Sequence, residues 1–384
     1  MGGLDFDIRR YSVFHPFLKK NLKHLNPLYV NKNTMEDKAN GRVGLANLGQ
    51  TCYLNAVLQS IRYCPEVAHY FINDKHKQHL KMDRISAPVV VEMADVVKGM
   101  WTADVRFRAS MAPRGFINSI TRASRDRDFS ILSGGQADSG EFLQFLLESL
   151  HYGVARSVQM DVVGLAKSKL DELHIKSLES WRQFHQKEYS PIIENFYGQT
   201  LCTVTCSRCS NKTTTFEPWA MLKVPVPKDS QTINDCITEF LEPEQIPDYE
   251  CSTCGIGTKG PATKEHTISK LPPNIIIQLK RFKSNGNKIR GLVKLNLEST
   301  NMSNWLSFPG TSRNTNPIYT TYAVVEHHGG SRGGHYINYC RHGDKWLCYD
   351  DTNIGVVDSD RVINEDSYII FMTNKPHSLP WIKT

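Results

Sequence analysis

Cys52 has the strongest claim to chemistry in this sequence. It closes the segment Gly44-Leu-Ala-Asn-Leu-Gly-Gln-Thr-Cys52 and opens a run in which Leu54, Val57, Leu58 and Ile61 recur at helical spacing until Pro65. The spacing predicts a helix with Cys52 in or just before its first turn. There the unpaired N–H groups and the positive dipole end favour the thiolate, which is the nucleophile. Gly44 and Gly49 let the preceding loop bend close to the sulfur. Asn47 supplies an uncharged amide donor that can reach an oxyanion on the carbonyl under attack. Taken alone, the same stretch reads equally well as a buried cysteine at the start of a core helix.

A cysteine nucleophile needs a base, and the base needs an acceptor to orient it. In Glu326-His-His-Gly-Gly-Ser-Arg-Gly-Gly-His335-Tyr-Ile-Asn-Tyr339, His335 stands where a glycine-rich loop turns into a strand, a good place for an accessible, well-held imidazole. His327 and His328 compete for the role but precede the loop. Trp346-Leu-Cys-Tyr-Asp350-Asp351 reads as a neighbouring hairpin strand ending in two acids, either of which can take the imidazole N–H. Paired acids after a strand are often only a turn signal. With the cysteine and histidine they become a Cys-His-Asp triad assembled from distant parts of the chain, in a cleft between two subdomains.

A second constellation is Cys206-Ser-Arg-Cys209 with Cys251-Ser-Thr-Cys254. Each C-x-x-C turn offers two thiolates, and four thiolates make a closed tetrahedral zinc site, structural because no coordination position is left open. Cys64, Cys202, Cys236, Cys340 and Cys348 have no partner at metal spacing and read as core or strand cysteines.

The elements that must position these residues divide the chain. From Cys52 to about 150 the periodicity is mostly helical, as in Val89–Val97 and Glu141–Leu150, and a mixed-charge helical pattern continues to about 190 with Trp181 and Phe184 on one face. From Gly198 onward Thr, Val and Ile alternate in short runs bounded by Gly, Pro and Asn, around 203–205, 213–216, 221–226, 275–279, 319–325, 335–339, 345–349 and 368–371. A helical half followed by a β-rich half is an α+β chain. Its 384 residues can bury two or three cooperating subdomains, and 40% apolar with 22% charged residues is globular composition. A mean hydropathy of −0.40 and the lack of a long apolar run predict no membrane span. A net charge of +7 without a dense arginine block gives little reason to expect a nucleic-acid partner. No signal-peptide core follows MGGLDFDIRR, so ten cysteines read as thiols and metal ligands of a reducing compartment, cytoplasm or nucleus.

These motifs resemble the ubiquitin-specific proteases, a family of papain-like cysteine deubiquitinases, over roughly residues 42 to 373. GLANLGQTCYLNAVLQ is similar to the family's cysteine box, QADSGEFLQFLLESL to its glutamine-acid box and GGHYINYCRHGDKWLCYDD to its histidine box. Phe196-Tyr-Gly198, the two C-x-x-C pairs, Leu271–Phe282 and Tyr322–Gly329 stand between them in the family's order. The resemblance implies a right-hand fold: a helical thumb (about 41–195), zinc-ribbon fingers (about 196–265) and a β-rich palm (about 266–375). An amino-terminal extension (1–40) and a short tail (376–384) would flank it. It implies Cys52 as nucleophile, His335 as base, Asp350 as orienter with Asp351 in reserve, and Asn47 as oxyanion donor. The substrate would be the isopeptide or peptide bond after ubiquitin's terminal glycine, and the zinc would be structural. Ubiquitin's tail is basic and ends in two glycines, so Asp138 and Glu141 can pair with its arginines, while Gly333, Gly334 and Tyr336 can form a channel too narrow for side chains. Asp138 can equally cap the helix it precedes. A silent ubiquitin-binding scaffold, or a protease for another ubiquitin-like modifier, are the alternatives. An unidentified activating or targeting protein is compatible with either. The sequence departs from the family at Gln50, where asparagine is usual, and at Ala137, where a second glutamine is common. Gly140 beside Glu141 is expected to weaken its helix start by about 1 kcal/mol relative to alanine.

Overall fold

The computed structural model describes residues 7–11, 41–102, 110–125, 137–228, 232–255, 257–311, 316–330, 333–377 and 379. The extension expected over 1–40 lies outside these residues except for β1 (Asp7–Tyr11). After β2 (Gly44–Leu45) the chain builds a helical layer: α1 (Cys52–Arg62), α2 (Pro65–Ile72), α3 (Ala87–Thr102), then β3 (Ser110–Met111), α4 (Arg114–Ser124) and α5 (Ser139–Val154). All eleven residues of α1 are buried, which explains why its apolar periodicity reads so strongly and why it sits at the centre of the thumb. The expected helical run to 190 is interrupted by β4 (Gln159–Val163), which pairs antiparallel with β1, before α6 (Lys169–His185) and α7 (Pro191–Phe196). In α6 Trp181 is 4% exposed and Phe184 54% exposed, so of the two only Trp181 is buried.

The finger sheet has the order β6-β5-β9-β8, formed by β5 (Gly198–Cys206), β6 (Lys212–Trp219), β8 (Glu244–Glu250) and β9 (Lys259–Lys270). The run expected as fingers is not continuous. β7 (Leu222–Pro225) pairs parallel with β10 (Asn274–Lys280), and α8 (Ile233–Phe240) packs beside it, because Leu222, Val224, Ile233 and Ile237 join the apolar cluster of the palm.

The palm is the sheet β15-β14-β13-β12-β16-β10-β7, completed by β12 (Ile318–Gly330), β13 (Gly333–His342), β14 (Lys345–Asp350), β15 (Asn353–Val357) and β16 (Ser367–Thr373), with the short β11 (Thr300–Asn301) beside β12. Every neighbour on the main path is antiparallel except the β10–β7 pair. Its central strands are covered on both faces, so β10 and β16 read as apolar runs without alternation. Ile276, Ile369 and Phe371 point into the thumb core with α1, whereas Ile275, Ile277, Ile370 and Met372 meet α8 on the opposite face. Pairing of β13 with β12 and β14 sets the start of β13 beside the end of β14, and the chain there meets the amino-terminal half of α1. Among the described residues no helix is long and apolar enough to cross a membrane.

Candidate active site

Cys52 is the first residue of α1 and is 2% exposed. Thr51 offers no side-chain cap to the helix. The loop before it is instead tied by Asn47, whose Oδ1 accepts the N–H groups of Gly49 (3.2 Å) and Thr51 (3.1 Å), and by Thr51 Oγ1, which accepts Leu48 N–H at 2.9 Å. Gln50 sits in this loop at φ 54, a left-handed conformation that asparagine adopts more readily, which gives a physical reason for the departure at this position to carry a small cost. Burial pushes the Cys52 thiol up and the Asp351 carboxylate adds to that, while the backbone N–H groups of Tyr336 and Tyr53 pull it down. The helix terminus therefore does not by itself deliver a thiolate here, and a base is needed.

His335 stands on β13 next to Tyr336, the residue whose N–H faces the sulfur. Its Nε2 lies 2.6 Å from Asp350 Oδ1 across the β13–β14 hairpin, which leaves Nδ1 as the ring position able to take a proton. The two acids that the sequence left open are separated by the backbone. Asp350 ends β14 and faces His335, whereas Asp351 turns at φ 50 toward the helical layer. Asp351 Oδ2 accepts Asn47 Nδ2 at 2.9 Å, Oδ1 accepts Asn55 Nδ2 at 2.7 Å, and its carbonyl accepts Leu45 N–H at 2.9 Å. His335, Asp350 and Asp351 thus stand together, with one ligand atom of each within 4.8 Å of the others, and Asp351 ties that group to Asn47 and to Asn55 of α1, the helix that Cys52 opens. Sequence reading missed Asn55. Its signal was a polar residue inside the apolar run of α1, where it is 2% exposed.

Of the other sequence candidates, Asp138 caps α5: Oδ1 accepts Gly140 N–H (2.8 Å) and Glu141 N–H (2.9 Å), and Oδ2 accepts the Tyr368 hydroxyl at 2.5 Å. Glu141 is exposed as the third residue of α5, in the same turn. Gly140 is explained by packing, since a Cβ there would stand 2.4 Å from Nε2 of Gln278, which donates to the Tyr368 hydroxyl at 2.6 Å. Gly334 is as constrained: a Cβ would meet His327 Nε2 and the His328 carbonyl, each at 2.4 Å. Gly333 beside it is exposed. The Tyr336 ring is 5% exposed and packs on His327 with centroids 4.5 Å apart.

In the fingers, Cys206 ends β5, and Cys209 lies in the turn to β6, opposite Cys251 and Cys254 in the β8–β9 turn. Sγ of Cys206 and Cys254 are 3.9 Å apart, those of Cys209 and Cys251 3.6 Å, and all four sulfurs lie within 4.8 Å of one another. A disulfide would bring two sulfurs to about 2 Å. Four sulfurs at about 2.3 Å from a zinc ion define a tetrahedron with edges of about 3.8 Å, so the spacing fits the metal. Backbone N–H groups of Cys209 and Arg208 pull the Cys206 thiol down to about 6, and the hydrogen bond with Cys209 pushes Cys254 up to about 12, as expected of crowded sulfurs. The donor set can bind zinc. Cys64, Cys202, Cys236 and Cys340 are buried, and Cys348 is half-buried on β14, in line with core and strand roles.

The ubiquitin carboxyl-terminal hydrolase family matches residues 43–372. Among curated proteins, the chain is 28% identical to Ubiquitin carboxyl-terminal hydrolase 2 of Bos taurus, covering 94% of this chain and 60% of that protein. It is 29% identical to Ubiquitin carboxyl-terminal hydrolase 2 of Gallus gallus, over 86% of this chain and 93% of that one. With Ubiquitin carboxyl-terminal hydrolase Usp2 of Drosophila melanogaster it shares 27% identity over 88% of this chain and 35% of the relative, so the chain spans only part of several relatives. A solved structure of the SAGA Ubp8/Sgf11/Sus1/Sgf73 DUB module bound to ubiquitin aldehyde has the same fold, with a TM-score of 0.66 and 23% identity over 88% of this chain and 70% of that one. The chain belongs to the ubiquitin carboxyl-terminal hydrolase family.

Proposed function

We propose that this chain is a cysteine-type deubiquitinase that cleaves the bond after the carboxy-terminal glycine of ubiquitin. The observation that carries the reading is the His335–Asp350 contact of 2.6 Å one residue from the backbone N–H that faces Cys52 Sγ. In the proposed reaction His335 takes the Cys52 proton and the thiolate attacks the glycine carbonyl. Asp350 holds the imidazole in orientation and offsets the charge it gains. The oxyanion is met by Asn47 Nδ2 and the Cys52 backbone N–H, the former aimed by Asp351. His335 then passes the proton to the leaving amine, and water, activated by the same histidine, hydrolyses the thioester. Glu141 and Asp138 would receive the basic tail of ubiquitin, Asp138 with the lone pairs its cap leaves over, and Gly333, Gly334 and Tyr336 would frame the last glycines. A zinc ion held by Cys206, Cys209, Cys251 and Cys254 would brace the fingers and take no part in the chemistry. We expect the protein to work in the cytoplasm or nucleus.

Ubiquitin bearing a carboxy-terminal electrophile tests the reading. Wild type should form a covalent adduct, and Cys52→Ala should form none while keeping its thermal stability and its binding of ubiquitin. Binding without adduct in the wild type would leave a silent scaffold. Adduct with another modifier but none with ubiquitin would move the specificity elsewhere.

A further inference from the structure

Beside the His335–Asp350 pair lies a second acid–histidine cluster to which the reaction above gives no role. His328 is the direct cross-strand partner of His335 in the β12–β13 hairpin, so the two imidazoles project from the same face of the sheet. His328 is held between two carboxylates: Nε2 is 3.0 Å from Glu326 Oε2 and Nδ1 is 3.2 Å from Asp366 Oδ2. Glu326 is fully buried, and its remaining partners are the Tyr339 hydroxyl at 3.3 Å and Asn364 Nδ2 on Oε1. Asp366 also pairs with Lys288 at 2.6 Å, and Lys288 in turn donates to the His327 carbonyl. The His327 N–H closes the cluster on the Asp366 carbonyl at 3.0 Å.

We propose that Glu326 is a positioning residue for His335, acting through His328 to fix the end of β12 against which the His335 segment of β13 is registered. This rests on His335 being the catalytic base. The anchorage is directional. Pairing continues past His328 only through Gly329–Gly334 and Gly330–Gly333, and no side chain stiffens those two positions. The rivets on 326–328 are therefore the nearest side-chain constraint on the strand facing His335.

The charge on Glu326 decides how well the rivet holds. Burial raises its carboxyl to about 7, against an ordinary value of 4.5. Above pH 7 the carboxylate accepts from Tyr339 and Asn364 and offers an acceptor to His328 Nε2. Below it one oxygen carries a proton, and an acceptor site facing Tyr339 and His328 is lost. The charged groups around it are Lys288 and Asp366 from the loops beneath, Cys348 on β14 and, beyond Tyr339, Arg361. None is a carboxylate able to replace it against His328 except Asp366, which already holds the other ring nitrogen.

The test is the pH dependence of kcat/KM on ubiquitin carrying a carboxy-terminal fluorogenic amide, read as the ratio of variant to wild type so that the titration of Cys52 and His335 cancels. Glu326→Gln reproduces the uncharged state at every pH. The ratio should be within about twofold of one at pH 6 and fall about fivefold or more by pH 8.5, with its midpoint near 7. His328→Ala, at a side chain 43% exposed and so tolerant of replacement, should show the same fall with pH and little change in thermal stability. A ratio that is constant from pH 6 to 8.5 in either variant overturns the proposal, whether the constant is one or far below it. Wild type inert at every pH, or His335→Ala as active as wild type, would instead overturn the reading of His335 on which the proposal stands.

Discussion

At the scale of single residues the informative contrast is between the two acids that end β14. The sequence puts Asp350 and Asp351 side by side and cannot separate them, because their difference is a backbone turn: Asp351 lies at φ 50, which sends consecutive carboxylates to different partners. Asp350 meets His335 at 2.6 Å, and Asp351 meets Asn47 at 2.9 Å. Cys52, His335 and Asn47 were readable because each stands in a local pattern, respectively a helix start, a loop-to-strand junction and a tight polar loop. Asn55 was not, because its partner, Asp351, is distant in the chain. The pairing predicts a specific non-additivity. Asn47→Ala should lower kcat by about 10²- to 10³-fold, the usual consequence of losing one oxyanion donor. Asp351→Ala should approach the same loss by letting the Asn47 amide swing, and should also destabilise the fold by about 1–3 kcal/mol by removing the charged acceptor of the Asn55 amide, which keeps only its longer bonds to the Leu45 and Ala46 carbonyls. The double variant should then be little slower than the worse single one. Losses in kcat that multiply would mean the two residues act independently.

At the scale of elements, what the sequence disclosed follows from burial. The strands predicted around 275–279, 319–325 and 368–371 lie inside the palm, covered on both faces, and their apolar runs are unmistakable. β8 and β9 went unread because the finger sheet is wet: β8 reads EQIPDYE with no residue buried, and in β9 (KGPATKEHTISK) only Ala262, Ile268 and Ser269 are. The inner end of the sheet is held by β5, by Ile268 and by Trp219 against the palm cluster, but the edge strand β8 and the far turns have so little apolar cover that they depend on the clamp. The Cys206–Cys209–Cys251–Cys254 cluster was readable from spacing alone, since C-x-x-C turns declare themselves locally, and it joins the ends of two hairpins that apolar contacts would hold poorly. Purified protein should carry one zinc ion per chain. Removing it with a strong chelator, or substituting Cys206→Ser, should lower the Tm and raise KM for ubiquitin substrates more than it lowers kcat. Metal analysis that finds no zinc, together with a Tm indifferent to chelation, would sink this account.

At the scale of the whole molecule, thumb and palm are joined by buried polar side chains whose partners are far apart in sequence. Arg62 is fully buried, donates to the Gly41 carbonyl at 2.7 Å and lies over the rings of Tyr63, Trp101 and Tyr349. The Tyr63 hydroxyl bridges His342 Nδ1 at 2.9 Å and the Tyr349 hydroxyl at 2.7 Å. His377, expected in a short tail, stacks on Tyr322 with centroids 5.5 Å apart and reaches the Tyr63 carbonyl at 2.9 Å. Two histidines stand in this join, His342 and His377, and with others buried inside the thumb and the palm they give the fold a pH signature. Burial lowers His151, His327 and His342 to about 4 from an ordinary 6.5, and lowers His377 as well. A histidine depressed in the fold binds protons more readily when unfolded, so its contribution is complete above about pH 6.5 and is lost as pH falls toward 4. Glu326 opposes this: raised to about 7, it stabilises below its ordinary 4.5 and gives that up as pH climbs through 7. Four histidines outweigh one carboxyl of similar shift, so stability should fall on acidification. The Tm should be highest near neutrality and drop steadily from pH 6.5 to 4.5, with a shallower drop in His342→Gln, where one of the four titrating rings is gone. A Tm that holds level or rises between pH 6.5 and 4.5 would mean that these rings are reached by water and that the fold does not depend on their staying neutral.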